Sequence, residues 1–135
     1  MRLAAASGPL FALVALGFLL RVWGIGFGLP HEYIRPDETT LMYTSLSICA
    51  GELNPHFFNY PSLQFYLLAI VFAVCYVAGW ASGQFVDVVD FQRQFFADPS
   101  DLYMSGRLLT AAFGTGAIAL VYRIGACVQD RRTGL

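Results

Sequence analysis

Long apolar runs alternate with short polar segments along this chain. Three runs, at about 9–29, 61–82 and 102–127, consist almost wholly of hydrophobic and small residues. Each has the roughly 20 residues that an α-helix needs to cross the hydrocarbon core of a bilayer. The segments between the runs carry most of the charged residues. The pattern therefore predicts an all-α integral membrane protein with two to three apolar helices.

The polar segment after the first run predicts a further helix, over 37–50. Pro36 and Asp37 form a favourable helix start, and Gly51 a suitable end, because proline fits the first turn and glycine the position just past the last. The expected apolar side contains Leu41, Met42, Leu46, Ile48 and Cys49. Because the helix is too short to span a bilayer, we expect it to lie along the outer membrane surface as a juxtamembrane helix.

Composition supports the membrane class. The 135 residues are 57% hydrophobic and only 13% charged, about half the charged share of a soluble domain. All eight basic residues are arginine, they form no large cluster, and the net charge is −1. Nothing in this charge pattern indicates a nucleic-acid partner.

Charge and length favour different topologies. Arg2 precedes the first run, and Arg131 and Arg132 follow the last. Basic ends stay on the cytoplasmic side, so two spans, with 61–82 lying in the outer leaflet, satisfy the positive-inside rule. Length alone favours three spans. We therefore predict the two-span arrangement, in which both acidic segments face the extracytoplasmic side.

The third run contains a stripe of small residues. Ala112, Thr115, Gly116 and Ala119 share one helix face, and small residues allow helices in a membrane to approach closely. We therefore expect Gly116 to lie at a helix contact, where a larger side chain would destabilise the protein.

The only adjacent carboxylates of the chain, Asp37 and Glu38, are the candidate catalytic residues. They follow the first apolar run closely, where membrane meets water. Acidic residues at a helix start also stabilise the helix dipole, so a structural role is the simpler interpretation. In the functional interpretation, Asp37 accepts a proton or binds a divalent metal ion such as Mg²⁺ or Mn²⁺, and Glu38 supports Asp37 in this role.

Such a surface site suits a substrate whose anionic head is anchored by a lipid tail. Arg35, Arg21 and Arg107 are candidates to bind its phosphate, because guanidinium groups bind phosphate in a bidentate way. Tyr60 and His56 are candidate substrate contacts. Each of these residues also has an ordinary alternative, as an ion-pair partner, an interfacial aromatic or a hydrogen-bonded histidine.

Three stretches carry a resemblance to a known family: RPDE at 35–38, NYPSLQFYLLA at 59–69 and GRLLTAAFGTGAIALVYRIG at 106–125. In this order they resemble the start of GT-C-fold glycosyltransferases that use polyprenyl-phosphate sugars, such as protein O-mannosyltransferases and lipid A aminoarabinose transferases. In that family the first outer loop carries an essential acidic residue, which matches Asp37. Its juxtamembrane helices match 37–50 and 61–82. Tyr60 stands where some relatives have a basic residue.

The resemblance implies that 1–135 is the N-terminal part of one membrane domain, a GT-C-type helical bundle completed by further transmembrane helices. It implies transfer of a sugar from a lipid-linked donor to an acceptor at the extracytoplasmic face of a bacterial or archaeal plasma membrane, with the fragment alone inactive. Membrane lipid and the remaining helices would be its other partners. The alternative is a small non-catalytic membrane subunit whose small-residue helix faces dock into a larger complex.

Overall fold

The computed structural model describes residues 7–31 and 34–128. Arg2, Arg131 and Arg132, on which the topology prediction depends, lie outside these residues. The described residues form helices and turns and contain no strand, so the all-α prediction is confirmed. The five helices are α1 Ser7–Val22, α2 Pro36–Cys49, α3 Ser62–Ala81, α4 Val88–Ala97 and α5 Ser100–Val128.

The first apolar run is helical over a shorter stretch than the expected 9–29. Helix α1 has 16 residues, or about 24 Å at 1.5 Å per residue. Turns follow from residue 23 onward, and Gly24 has φ +69°, a left-handed conformation that glycine adopts without steric cost. The glycine-rich segment therefore ends the helix instead of extending it.

Two of the described helices, α3 and α5, are long and apolar enough to cross a membrane. Helix α1 is apolar but shorter. Many large hydrophobic side chains on these helices are exposed in the isolated chain, among them Phe11, Ile70, Trp80, Phe113 and Ile124. These findings indicate membrane association.

The chain forms two compact units, and one of them contains residues 7–25 and 108–128. In this unit α1 and α5 come close at Gly17, where a Cβ would overlap the side chain of Ile118. Gly116 is exposed, and a Cβ built there meets nothing within 4 Å. The expected helix contact of Gly116 is not present among the described residues, where the close approach uses Gly17 instead.

The other unit, Gly26–Arg107, is centred on the packing of α2 against α3. Phe65 is fully buried, and it forms a cluster with Ile48 and Ala69. The Cys49 thiol donates a hydrogen bond to the carbonyl oxygen of Ala69 at 3.3 Å. The polar helix α2 therefore lies directly against the N-terminal half of the apolar helix α3.

Helix α2 occupies nearly the expected residues, but its buried face is rotated. Met42, Ser45 and Ile48 are buried, whereas Cys49 is exposed. Ser45 is tolerated in the core because its hydroxyl donates to the carbonyl oxygen of Leu41 at 2.7 Å, which satisfies the buried polar group within its own helix.

Helix α4 lies in the acidic segment between the second and third apolar runs, where the sequence analysis predicted no helix. Asp87 caps it by accepting a hydrogen bond from the backbone N–H of Asp90 at 2.9 Å. Phe95 is buried, and its ring meets Tyr43 of α2 edge-to-face with centroids 6.0 Å apart. The signal was present in the sequence as an Asp cap followed by Phe91 and Phe95 one helical turn apart.

Candidate functional site: an acidic pair at the start of α2

The first turn of α2 presents Asp37 and Glu38. Arg35 precedes the helix with φ −129°, and Pro36 opens it. The side chain of Arg35 makes no capping hydrogen bond. The carboxylates therefore stand at the positive end of the helix dipole, as expected. Since that position alone explains acidic residues, their side-chain contacts decide what each can do.

Glu38 is held by two arginines. Nη2 of Arg107 lies 2.6 Å from Oε2 of Glu38, and Nε of Arg107 lies 3.1 Å from each carboxylate oxygen. Nη1 of Arg35 donates to Oε1 at 3.1 Å. The Glu38 side chain is 23% exposed and that of Arg107 only 9%. The charge of Glu38 is thus compensated by two guanidinium groups, one of them in fork geometry.

Arg107 makes a further contact, so most of its hydrogen-bond donors are occupied by groups of the chain itself. Its Nη1 donates to the backbone carbonyl oxygen of Phe27 at 3.0 Å. All three guanidinium nitrogens are therefore engaged, and the side chain is almost buried. This geometry favours a structural role for Arg107 over the phosphate contact suggested by the sequence.

The side-chain contacts of Asp37 differ from those of Glu38. Its side chain is exposed, and Oδ1 accepts a hydrogen bond from the Tyr60 hydroxyl at 2.9 Å. Within the part of the chain that the structure describes, Oδ2 has no hydrogen-bond partner. Successive helix residues point about 100° apart, so adjacent carboxylates can meet different surroundings. Among the described residues, Oδ2 of Asp37 has no partner, whereas both carboxylate oxygens of Glu38 are bonded.

Tyr60 lies two residues before the first residue of α3, and its hydroxyl bonds to Asp37. Its ring lies 5.3 Å from that of Phe57, and Phe57 in turn meets the buried Phe65 edge-to-face. The hydrogen bond to Asp37, together with slight burial and the carboxylate charge, raises the pKa of Tyr60 above its ordinary value. Tyr60 therefore stays protonated near neutral pH and acts as a hydrogen-bond donor to Asp37.

Two other candidates make their contacts elsewhere. Nε2 of His56 lies 3.3 Å from Oε1 of Glu52, and the backbone N–H of His56 donates to the Asn54 side chain. Arg21 belongs to the other compact unit, where its Nη1 donates to the carbonyl oxygen of Gly17 at 2.8 Å. The acidic-pair cluster consists of the remaining candidates: Arg35, Asp37, Glu38, Tyr60 and Arg107.

The described residues of the acidic-pair cluster do not form a preassembled set of metal ligands. No group of three or more His, Cys, Asp or Glu residues suited to hold a metal occurs in residues 7–31 and 34–128. The oxygens of Glu38 already face two guanidinium groups, whose positive charge opposes a cation. Asp37 offers a single carboxylate, and Mg²⁺ is bound by one or two carboxylates together with water and substrate phosphates, so a metal at Asp37 stays a prediction. We derive no chemical step through a metal.

The pairing of Arg107 with Glu38 was not detectable from sequence spacing, because 69 residues separate the two. The same holds for Tyr60 and Asp37, which are 23 residues apart. Comparison with family models, with curated proteins and with solved structures gives no match to this chain. The case for a function therefore rests on the residues themselves and their geometry.

Proposed function

We propose that this chain is the N-terminal part of a GT-C-type membrane glycosyltransferase. The enzyme transfers a sugar from a polyprenyl-phosphate donor to an acceptor at the extracytoplasmic membrane face, and further transmembrane helices complete its active site. The fragment alone is inactive in this proposal. Membrane-length helices α3 and α5 and the resemblance at 35–38, 59–69 and 106–125 support it.

One observation carries the proposal: the two neighbouring carboxylates have different partners. Glu38 is compensated by Arg35 and Arg107, whereas Asp37 is exposed with Oδ2 available among the described residues. A general base needs an open acceptor oxygen in a fixed position. If the two acidic residues served only to stabilise the helix dipole, they would not need different side-chain partners.

Asp37 is the general base of the proposed reaction. The acceptor hydroxyl attacks the anomeric carbon of the donor sugar while its proton passes to Asp37. The bond between the anomeric carbon and the phosphate oxygen breaks, and polyprenyl phosphate leaves with the bonding electrons. Glu38 does not take part in proton transfer, and instead fixes the two arginines beside the base.

Arg35 is the arginine best placed to bind the donor phosphate. Its side chain is 44% exposed, and among the described residues only its Nη1 makes a hydrogen bond, to Glu38. Its other guanidinium nitrogens have no partner among the described residues, in contrast to those of Arg107. A guanidinium group can hold Glu38 with one nitrogen and a phosphate oxygen with another. Arg107 contributes by keeping Glu38 in place.

The test is sugar transfer by the complete encoded polypeptide in membranes, comparing the wild type with Asp37→Asn. Asparagine keeps the shape and the helix-start preference of aspartate but cannot accept the proton. We expect the rate to fall by about 100-fold or more, with thermal stability retained. Asp87→Asn, a change at the exposed cap of α4, is the matched control and should keep wild-type activity.

Equal rates for the wild type and Asp37→Asn would contradict the proposal. They would leave Asp37 as a helix-start residue and favour the alternative of a non-catalytic membrane subunit. In that case sequencing the gene beyond Leu135 adds a second criterion, since many further spans would support an enzyme and a stop codon would support the subunit.

A further inference from the structure

We propose that Tyr60 is a positioning residue for Asp37, fixing the orientation of its carboxylate for proton acceptance instead of contacting the sugar itself. The inference rests on the proposed function, because it gives Asp37 a partner that organises the same reaction. Its basis is the hydrogen bond from the Tyr60 hydroxyl to Oδ1 of Asp37, 2.9 Å long.

The hydrogen bond restricts a carboxylate that otherwise has little to hold it. Asp37 is exposed, and no second side chain of the described residues bonds to it. A free aspartate on a helix surface rotates among several side-chain conformers. The bond from Tyr60 holds Oδ1, restricts the conformers of the side chain and leaves Oδ2 without a partner among the described residues. A preorganised base of this kind is more effective than a mobile one.

The donor is itself held by the core of its unit. The Tyr60 ring packs on Phe57, and Phe57 meets Phe65, which is fully buried. Pro61 follows directly and precedes the first residue of α3, and its ring fixes its own backbone φ. Tyr60 therefore lies just before α3, and Asp37 lies in the first turn of α2; these two helices pack together. The hydrogen bond joins the starts of two mutually packed helices.

Tyr60 acts as a donor and does not compete for the proton. Because its pKa is raised by the bond to Asp37, its hydroxyl keeps its hydrogen near neutral pH. The proton released by the acceptor hydroxyl therefore goes to the open oxygen of Asp37. A tyrosine that instead bound the sugar would act on substrate affinity, and its effect would not depend on the Asp37 carboxylate.

A double-mutant cycle on the complete polypeptide tests the inference, using wild type, Tyr60→Phe, Asp37→Asn and the double variant. Tyr60→Phe removes the hydroxyl and keeps the ring that packs on Phe57. We expect kcat to fall by about 10- to 100-fold with KM for the lipid-linked donor unchanged. In the Asp37→Asn background, Tyr60→Phe should cause no further loss. Equal melting temperatures establish that the variants fold.

The matched control is Tyr66→Phe. Tyr66 lies six positions further along the chain, and its hydroxyl donates to the backbone carbonyl oxygen of Leu53 at 2.9 Å, away from Asp37. Losing this hydroxyl should leave kcat and KM at wild-type values. The control separates the specific bond to Asp37 from the general loss of a tyrosine hydroxyl in this part of the chain.

The outcomes distinguish this inference from the proposed function. If Asp37→Asn abolishes transfer but Tyr60→Phe keeps the wild-type kcat, the positioning role is overturned and the general base stands. A raised KM with unchanged kcat in Tyr60→Phe also overturns it, and assigns Tyr60 to substrate contact. If Asp37→Asn itself transfers at the wild-type rate, the proposed function fails and the inference fails with it.

Discussion

Arg107 of α5 donates to both carboxylate oxygens of Glu38, in the first turn of α2, and to the backbone of Phe27. One nearly buried guanidinium group thereby ties together three parts of the Gly26–Arg107 unit that are distant in sequence. Arg35 supplies a second positive charge to the same carboxylate. The ion pair holds the start of α2, and with it the position of Asp37.

The first prediction is that this ion pair is important for stability. Glu38→Gln removes the negative charge and leaves the Arg107 guanidinium without compensation in a site where it is only 9% exposed. Breaking one partner of a buried pair costs about 3–5 kcal/mol. Since Glu38 is 23% exposed, we expect a loss of about 2–3 kcal/mol. The measurement is thermal unfolding of the purified protein in detergent.

Arg93→Gln provides the comparison for this experiment. Arg93 pairs with Asp90 at 3.3 Å, but its side chain is 76% exposed, and exposed pairs contribute about 0–1 kcal/mol. The melting temperature should barely change. A melting temperature for Glu38→Gln as high as that of Arg93→Gln would show that the Arg107 pair does not hold the unit together.

The helix that carries the acidic pair was predictable because its signals are local. Proline, two acidic residues and a terminal glycine mark the ends of α2, and each acts within one helical turn. The rotation of its buried face was not predictable, since burial depends on where α3 lies. Ser45 enters the core because it can bond to Leu41, a possibility that a search for apolar residues passes over.

The residues that bond to the acidic pair could be identified from the sequence, but their bonds to it could not be predicted. Sequence analysis identified Arg107 and Tyr60 as candidates, yet as groups that contact substrate. Their bonds to Glu38 and Asp37 cross 69 and 23 residues, and such contacts depend on how the chain packs. The same limitation applies to the helix contact expected at Gly116. A stripe of small residues shows that close approach is possible but not which residue makes it.

A second prediction concerns a glycine that the sequence analysis did not single out. Gly79 of α3 is buried, and a Cβ there would overlap the ring of Phe85. Phe85 is itself buried and stacks on Tyr76, so it has little room to move. Gly79→Ala should therefore destabilise the protein by about 1–3 kcal/mol through overpacking, measured by thermal unfolding.

Gly116→Ala is the control for this change. It places the same methyl group in the middle of α5, where nothing lies within 4 Å. Alanine favours the helix over glycine by about 1 kcal/mol, so stability should stay the same or rise slightly. If the two variants melted alike, the close contact of Gly79 with Phe85 would not limit packing.

The third prediction follows from the raised pKa of Tyr60. A group whose pKa is higher in the folded than in the unfolded protein stabilises the fold below its unfolded pKa, about 10 for tyrosine. The contribution is lost as the pH rises through the folded pKa. The difference in melting temperature between wild type and Tyr60→Phe should therefore be constant near neutral pH and shrink above about pH 10.

Asp37→Asn tests the cause of this pKa shift. Without the charged acceptor, the pKa of Tyr60 should fall toward its ordinary value. The difference in ultraviolet absorbance between a variant with Tyr60 and the matching Tyr60→Phe variant isolates the ionisation of this one tyrosine. An identical titration in the wild-type and Asp37→Asn backgrounds would mean that the hydrogen bond to Asp37 does not raise the pKa of Tyr60.

The last prediction is that the chain crosses the membrane twice, with α3 lying in the outer leaflet. Helix α3 is long enough to span, but its N-terminal half packs against α2, which carries Asp37 and Glu38. Drawing α2 into hydrocarbon with α3 would be costly for these charges. Labelling of single cysteines in a cysteine-free background tests this. A cysteine at Gln84 should react from outside and one at Arg132 from the cytoplasm, whereas three spans would reverse both results.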